Sequence, residues 1–220
     1  MQMIAASPLF SGLRRTETER VIEALSGELI FCSKGELISE NSQNSVDRQV
    51  IYLVLSGVVQ LVRYGQDGRR CMIDYTMPGG VIGYADLVGG LYVRGSQYEA
   101  GKEAVLLRLE FSERPEIEQD TVETLERAFI KIISNKTSRL LQKVDIVSRG
   151  SVREKIMTFL SYEAQIHGAA QFDIPLNRQE LADYICVDRT TLCSELGKME
   201  NEGLILKGKR TFRMLTEKAI

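Results

Sequence analysis

The run from Leu176 to Leu206, LNRQELADYICVDRTTLCSELGKMENEGLIL, constrains this chain more than any other segment, because two short amphipathic helices are written in it, each with its own start signal. Asn177 followed three residues later by Glu180 is a capping-box pattern, so a first helix begins near Arg178 and buries Leu181, Ala182 and Ile185. Asp188 then offers a carboxylate to cap a second helix. In that helix Leu192, Leu196 and Met199 fall at i, i+4 and i+7 and form one inward stripe, while Thr190, Ser194 and Gly197 point the other way. A helix facing only solvent would carry Glu and Lys on its free side. Arg189, Thr190, Thr191 and Ser194 instead present donors and acceptors on short stems, which suits a nucleic-acid groove. The amides and partial positive charge at the start of the second helix suit a phosphate.

After Gly203, the run Leu204 to Leu206, then Lys207-Gly208-Lys209-Arg210, then Thr211 to Leu215 reads as a β-hairpin. Its tip carries Lys207, Lys209 and Arg210, with Arg213 on the returning strand. A cationic hairpin directly after a helix pair is a phosphate-contacting wing whose contribution weakens as salt rises. The plainer alternative is a solvated turn.

With 220 residues, 44% apolar and 26% charged, the chain has the composition of an ordinary globular protein of two domains. Its net charge of −2 is uneven: 11 basic and 10 acidic residues from Ser148 onward, against 17 and 20 before it. A local patch, not the total, sets docking on a polyanion. Met1 to Phe10 lacks the charge and apolar run of a secretory signal, and no segment reaches the length of a membrane helix, so a cytoplasmic protein with no membrane partner is expected. The four cysteines, Cys32, Cys71, Cys186 and Cys193, form no short C-x-x-C pair and are expected as reduced thiols. Cys186 and Cys193, seven apart, raise a redox switch as an alternative to inert buried thiols. His167 is the only histidine, so a multi-histidine metal site is excluded, and a cupin-type enzyme with it. No catalytic residues and no enzyme activity are expected.

Glycines at 57, 68 and 79 recur every eleven residues between the β-rich runs Ile51 to Leu55, Val58 to Tyr64 and Arg69 to Thr76. Asp67-Gly68 is a hairpin turn, and Met77-Pro78-Gly79-Gly80 is a second turn before Val81 and Ile82. Strands resume at Gln97 to Ala100 and Ala104 to Leu109. Short strands at this spacing predict a sandwich or barrel, and the fold expected for this part is a double-stranded β-helix, a cupin-like jelly roll. Ahead of it, Thr16 and Glu19 predict a capped short helix to about Leu25. The glycine-rich excursion from Gly83 to Ser96 contains a single arginine, Arg94, and reads either as an anion-binding loop or as a long connection.

From Asp120 to Val147 there is no Gly or Pro, and Val122, Leu125, Phe129, Ile133, Leu140, Val144 and Val147 recur at the helical period with Thr137 at the missing step. One long helix with a continuous seam follows. Its apolar face suits a two-fold dimer, its own β-domain, or both. Ser148-Arg149-Gly150 breaks it, and Ser151 with Glu154 restarts a helix. The expected domains are thus a β-roll sensor over 1–118, a dimerisation helix over 119–147 and a winged helix-turn-helix over 148–220, an α+β protein.

β-roll, long helix, break and winged helix-turn-helix, in this order, resemble the CRP/FNR family of bacterial transcription regulators over nearly the whole chain. Leu176 to Tyr184, Arg189-Thr190-Thr191-Leu192 and Glu202-Gly203-Leu204-Ile205 carry the resemblance most specifically. It implies a homodimeric, sequence-specific regulator that binds double-stranded DNA, and that meets RNA polymerase if it is an activator. A ligand-binding module acting on a protein partner without DNA is the alternative, and it leaves the wing and the short-polar helix face unexplained. In the family reading Asn177, Arg178 and Gln179 position the domain on phosphates, and Arg189, Thr190, Cys193 and Ser194 sit at base-contacting positions. Family members often carry Glu where this chain has Thr190 and Arg where it has Ser194, so the usual half-site is not expected. Cys186 stands at a turn position commonly held by Gly, which predicts a left-handed residue or a shifted turn.

The same resemblance implies an effector site at Gly83, Tyr84, Arg94, Gly95 and Ser96 with Leu140 and Leu141 of the long helix. Tyr84 stands where cyclic-nucleotide-binding members have a ribose-holding Glu, and Leu140 and Leu141 replace hydroxyl residues, so cyclic AMP is not expected. An iron–sulfur sensor would need a cysteine cluster near the start, where Cys32 stands alone, and a haem sensor would need a histidine in the β-domain. No cofactor is expected. The effector is left as an unidentified small molecule, anionic or apolar, or none.

Overall fold

Strand runs punctuated by Gly57, Gly68 and Gly79 fold back on one another as two four-stranded sheets, as the eleven-residue spacing predicts. The computed structural model describes residues 2–5, 7–38, 50–84, 95–111 and 116–215. The chain forms two units, Met1–Asp67 with Ile73–Lys136, and Gly68–Met72 with Thr137–Ile220.

In the first unit the strands are β1 (Glu28–Cys32), β2 (Leu37–Ile38), β3 (Val50–Ser56), β4 (Val59–Tyr64), β5 (Arg70–Thr76), β6 (Val81–Ile82), β7 (Ser96–Ala100) and β8 (Ala104–Glu110). They pair in the orders β1-β8-β3-β6 and β2-β7-β4-β5. Alternation along β3 and β8 serves two apolar layers at once. Tyr52, Val54 and Leu106 join Val59, Ile82 and Tyr98 in one cluster, whereas Ile51, Leu53, Leu107 and Leu109 join Phe10, Val21, Leu25 and Ile132 in another. β1 and β2 were not foreseen; Leu29 and Phe31 are exposed, so these strands lack the buried alternation that marks the others. Gly57 has φ +83°, and a Cβ there would sit 2.3 Å from the Glu103 carbonyl oxygen, so the turn before β4 admits only glycine.

Helix α1 (Arg15–Ala24) starts two residues earlier than the Thr16/Glu19 pattern suggests. Glu17 is its capping carboxylate, accepting the Arg14 backbone N–H at 2.7 Å and the Arg14 guanidinium as well. Glu19 instead pairs with Arg15, at 2.9 Å.

Helix α2 (Gln119–Ser148) is the expected long helix. The single seam expected from the sequence is divided. Leu125, Phe129 and Ile132 pack on the outer apolar layer of the β-roll, whereas Ile130, Leu141 and Val144 are 66%, 66% and 61% exposed. A helix with two sets of neighbours carries two stripes, and periodicity alone merges them. Lys136, also on α2, is buried: its Nζ donates to Asp74 Oδ2 at 2.9 Å and to Thr76 Oγ1 at 3.0 Å.

The second unit continues with α3 (Val152–His167), opened by the expected capping box: Ser151 Oγ accepts from the Glu154 N–H and Glu154 Oε2 from the Ser151 N–H. Gly168, at φ +59°, ends it. β9 (Gln171–Asp173), α4 (Arg178–Ile185), α5 (Arg189–Asn201), β10 (Ile205–Lys207) and β11 (Thr211–Met214) follow. The wing is three-stranded, in the order β10-β11-β9, where the sequence suggested a hairpin only. β9 is three residues long with one buried side chain, Phe172, too short a signal to read. Among the described residues no helix is long and apolar enough to cross a membrane.

Candidate nucleic-acid interface

The interface is built on α4 and α5. Asn177 Oδ1 accepts from the Gln179 and Glu180 N–H groups at 2.9 and 3.0 Å, and Glu180 Oε2 accepts from the Asn177 N–H at 2.6 Å. Leu181, Ala182 and Ile185 are buried, as their spacing predicts. Helix α4 ends at Cys186 with φ 56° and ψ 57°, the left-handed conformation expected where glycine is replaced. The turn is therefore unshifted and the strain sits on this one residue.

Asp188 is at the N-cap position of α5, but its carboxylate makes no capping hydrogen bond, contrary to expectation. The first-turn amides of α5 are left to donate to another acceptor. Leu192, Leu196 and Met199 are fully buried, and Arg189, Thr190, Thr191, Cys193 and Ser194 are exposed on the opposite side. The cysteines at 186 and 193, expected as buried thiols, are both exposed.

What holds α5 in place was not foreseen. Arg153, at the start of α3, meets Glu202 with two prongs, Nη1 to Oε2 at 2.6 Å and Nη2 to Oε1 at 2.8 Å, and its Nε reaches Glu195 Oε1 at 2.6 Å. These bonds hold both carboxylates below the usual glutamate range and the guanidinium above its ordinary value. Partners 42 and 49 residues apart leave no local pattern to read. Phe159 of α3 meets Tyr184 edge to face, with centroids 5.8 Å apart.

The wing is tied to α4 through Arg178. Its Nη2 donates to the Gly208 carbonyl at 2.6 Å, and its guanidinium carbon lies 4.6 Å from the Phe212 ring centroid. Burial pushes its pKa down, while Nη1 has no hydrogen-bond partner among the described residues. Lys207 is ion-paired with Glu200, which this pairing holds below the usual carboxylate range. Lys209 is exposed, Arg210 is half-exposed with Nε buried and unmatched, and Arg213 is exposed on β11. All the residues expected to meet DNA thus belong to one unit.

The expected effector residues are placed differently. Gly83 has φ +81°, and a Cβ there would lie 2.9 Å from the Val50 carbonyl oxygen. Tyr84 is half-buried with Lys136 Nζ 5.5 Å from its ring centroid, and burial pushes its hydroxyl pKa up. Gly95 has φ +76°, and Ser96 is buried at the start of β7. Arg94 lies outside the described residues. Leu140 and Leu141, 38% and 66% exposed, belong to the second unit. An apolar cavity of about 620 Å³, lined by Leu25, Ile51, Leu109, Val122, Leu125 and Phe129 among others, lies in the first unit; no sequence pattern announced it.

Residues 154–219 match the family model of the Crp-like helix-turn-helix domain. The chain is 27% identical to the transcriptional activator protein FnrL of Cereibacter sphaeroides over 169 residues, 71% of this chain and 65% of that protein. It is 26% identical to the nitrogen fixation regulation protein FixK of Rhizobium meliloti, over 77% of this chain and 75% of that one. The fold is shared with FixK2 from Bradyrhizobium japonicum (TM-score 0.64, 18% identity, 87% of this chain and 94% of that one). It is also shared with the c-di-GMP responsive regulator CLP of Xanthomonas campestris (TM-score 0.65, 17% identity, 92% and 100%). The carboxyl-terminal part is thus a Crp-like helix-turn-helix domain, and over most of its length the chain is similar to transcription regulators of the CRP/FNR type. Members of that family are DNA-binding transcription regulators with an amino-terminal sensor domain, and the matched relatives are regulators, not enzymes.

Proposed function

We propose that this chain works as a cytoplasmic homodimer that reads a two-fold DNA site with paired α5 helices and, if it is an activator, meets RNA polymerase. The observation that carries the reading is the contrast on α5: Leu192, Leu196 and Met199 fully buried, and Arg189, Thr190, Thr191, Cys193 and Ser194 open to a groove. Arg178 at the start of α4 and Lys209 and Arg210 on the wing supply phosphate contacts, while Asn177 and Gln179 set the start of α4 toward the backbone. The exposed Ile130, Leu141 and Val144 on α2 supply the dimer seam.

The amino-terminal part senses a small molecule or another signal. Gly83, Tyr84, Arg94, Gly95 and Ser96 with Leu140 and Leu141 are its proposed contacts, and Tyr84, with its ring toward a buried lysine, speaks against a ribose hydroxyl there. An effector switches such a protein only by binding its two arrangements unequally.

Selection from random-sequence DNA followed by gel-shift titration at several salt concentrations tests the reading. The expected result is saturable binding to one enriched sequence, with affinity falling steeply as salt rises. Arg189→Ala with Ser194→Ala should relax the selected sequence; an unchanged selection would remove these residues from base contact.

A further inference from the structure

The spacing of seven made Cys193 the apparent partner of Cys186, but the sulfur that meets Cys186 comes from elsewhere. Cys186 Sγ lies 3.7 Å from the Sγ of Cys71, 115 residues away in sequence, in the segment Gly68–Met72 that belongs to the same unit as the helix-turn-helix. Cys71 is at the start of β5, at the tip of the β4–β5 hairpin. Cys186 is exposed and Cys71 partly so. Both border a cleft of about 240 Å³ that Arg69, Arg70, Asp183 and Asp188 also line, large enough for a small oxidant to enter.

We propose that Cys71 and Cys186 form a reversible oxidation site whose disulfide fastens the turn of the helix-turn-helix to the hairpin tip and lowers affinity for DNA. The effect on DNA rests on the DNA-binding reading above; the thiol pair itself stands on the geometry of the two sulfurs.

The surroundings favour the chemistry. Arg69 and Arg70 line the cleft together with Cys71 and favour a thiolate there. Hydrogen bonding to Cys71 and burial push the Cys186 thiol up, which favours Cys71 as the attacking sulfur. With hydrogen peroxide as oxidant, the Cys71 thiolate attacks one peroxide oxygen, the O–O bond breaks, and hydroxide leaves while Cys71 becomes a sulfenic acid. Cys186 then attacks the sulfenic sulfur, its proton goes to the departing hydroxyl, and water is released as the S–S bond forms. Two thiols and one peroxide give one disulfide and two waters; the sulfurs lose the two electrons that the peroxide gains. Closing the 3.7 Å separation by about 1.7 Å reaches a normal bond length.

The consequence for DNA follows from what the same contact already engages. Arg70 Nη1 donates to Asp183 Oδ2 at 2.9 Å, and Gln179 Nε2 donates to Asp183 Oδ1 at 2.8 Å. Gln179, proposed to face phosphate, is therefore held in a network that the hairpin tip completes. An ion pair there exchanges; a covalent bond one turn away does not.

The test uses the full-length protein. Reduced and peroxide-treated samples are alkylated, digested and mapped by mass spectrometry, and both are titrated against DNA that the reduced protein selected from a random pool. A linked Cys71–Cys186 peptide is expected, with affinity reduced about tenfold or more and restored by dithiothreitol, a span ordinary for coupling of this kind. Cys71→Ser should bind as the reduced protein does and be indifferent to peroxide. Absence of the linked peptide, or a Cys71→Ser protein that still loses affinity on oxidation, overturns the proposal. Failure of the reduced protein to select any DNA would instead count against the interface, leaving the peptide map to decide the thiol pair.

Discussion

Arg178 Nη2 donates to the Gly208 carbonyl at 2.6 Å while the same guanidinium lies against the Phe212 ring, so one side chain from the start of α4 sets the position of the wing. A residue that the sequence offers as a phosphate contact is thus also a structural tie. Arg178→Ala removes a charge-assisted hydrogen bond, about 1.5–3 kcal/mol, and a cation–π contact, about 0.5–1 kcal/mol. Arg178→Lys keeps the charge but not the planar fork. The alanine variant should therefore lose wing protection in hydrogen exchange and reduce the salt slope of DNA binding by about 1. The lysine variant should keep the salt slope and lose the protection. Equal behaviour of the two would separate the wing from this guanidinium.

Lys136 and Asp74 form a buried pair, and Lys136 also donates to Thr76. Lys136→Met leaves Asp74 enclosed without its cation, which should cost about 3–5 kcal/mol in urea unfolding. Lys136→Met with Asp74→Leu should recover most of that loss, because both desolvated charges are then gone. A single variant as stable as the parent protein would show that water reaches Asp74.

These two sites mark what the sequence could and could not convey. Capping boxes at Asn177/Glu180 and Ser151/Glu154, the stripe Leu192, Leu196 and Met199, and the glycine-punctuated strands were legible because each is a pattern within a few residues of itself. Lys136–Asp74, Arg153–Glu202 and Cys71–Cys186 were not, since each joins residues tens of positions apart and neither partner has a local signature. Asp188 illustrates the intermediate case: the residue type and position of a cap are present, but the side chain is turned elsewhere. Beyond the glycine-rich loop around Arg94 the effector site was read through family likeness, and the apolar cavity beneath α2 lies outside that reading.

The Arg153 clamp gives a pH dependence with a definite sign. Hydrogen bonds to Arg153 hold Glu195 and Glu202 below the ordinary glutamate value of 4.5. A depressed carboxylate binds protons more weakly in the folded protein, so its contribution is present in full above pH 4.5 and is lost as pH falls through the lowered folded values. The difference in thermal midpoint between the parent protein and Arg153→Gln should therefore be constant near neutrality and shrink below about pH 4.5. A gap that persists in strong acid would show that packing of the arginine stem, not its charge, joins α3 to α5.

Cys186, at φ 56°, occupies a conformation that costs an L-residue about 1–2 kcal/mol. Cys186→Gly relieves that cost, partly offset by the greater freedom glycine has when unfolded, and should raise stability by up to about 1 kcal/mol. Chemical denaturation of the reduced protein measures it. Cys186→Ala, which keeps a Cβ in the same conformation, should give no such gain. A glycine variant less stable than the alanine one would mean that the contact with Cys71 outweighs the backbone strain.

Leu141 and Val144 are 66% and 61% exposed on α2, while Leu125 and Phe129 of the same helix are packed on the β-roll. Two large apolar side chains one turn apart on a helix are costly in water unless a second surface covers them, and the exposed stripe is continued by Ile130. Leu141→Glu with Val144→Glu places like charges on both sides of a two-fold seam without touching the residues that hold α2 to its own unit. Sedimentation should then report a monomer with unchanged helix content. Because paired α5 helices bind as one bivalent ligand, affinity for the selected DNA should fall about 10²–10⁴-fold while binding to single-half-site DNA stays as weak as before. A double variant that remains dimeric and binds DNA normally would place the seam elsewhere and leave the exposure of Leu141 to the sensing role proposed for it and Leu140.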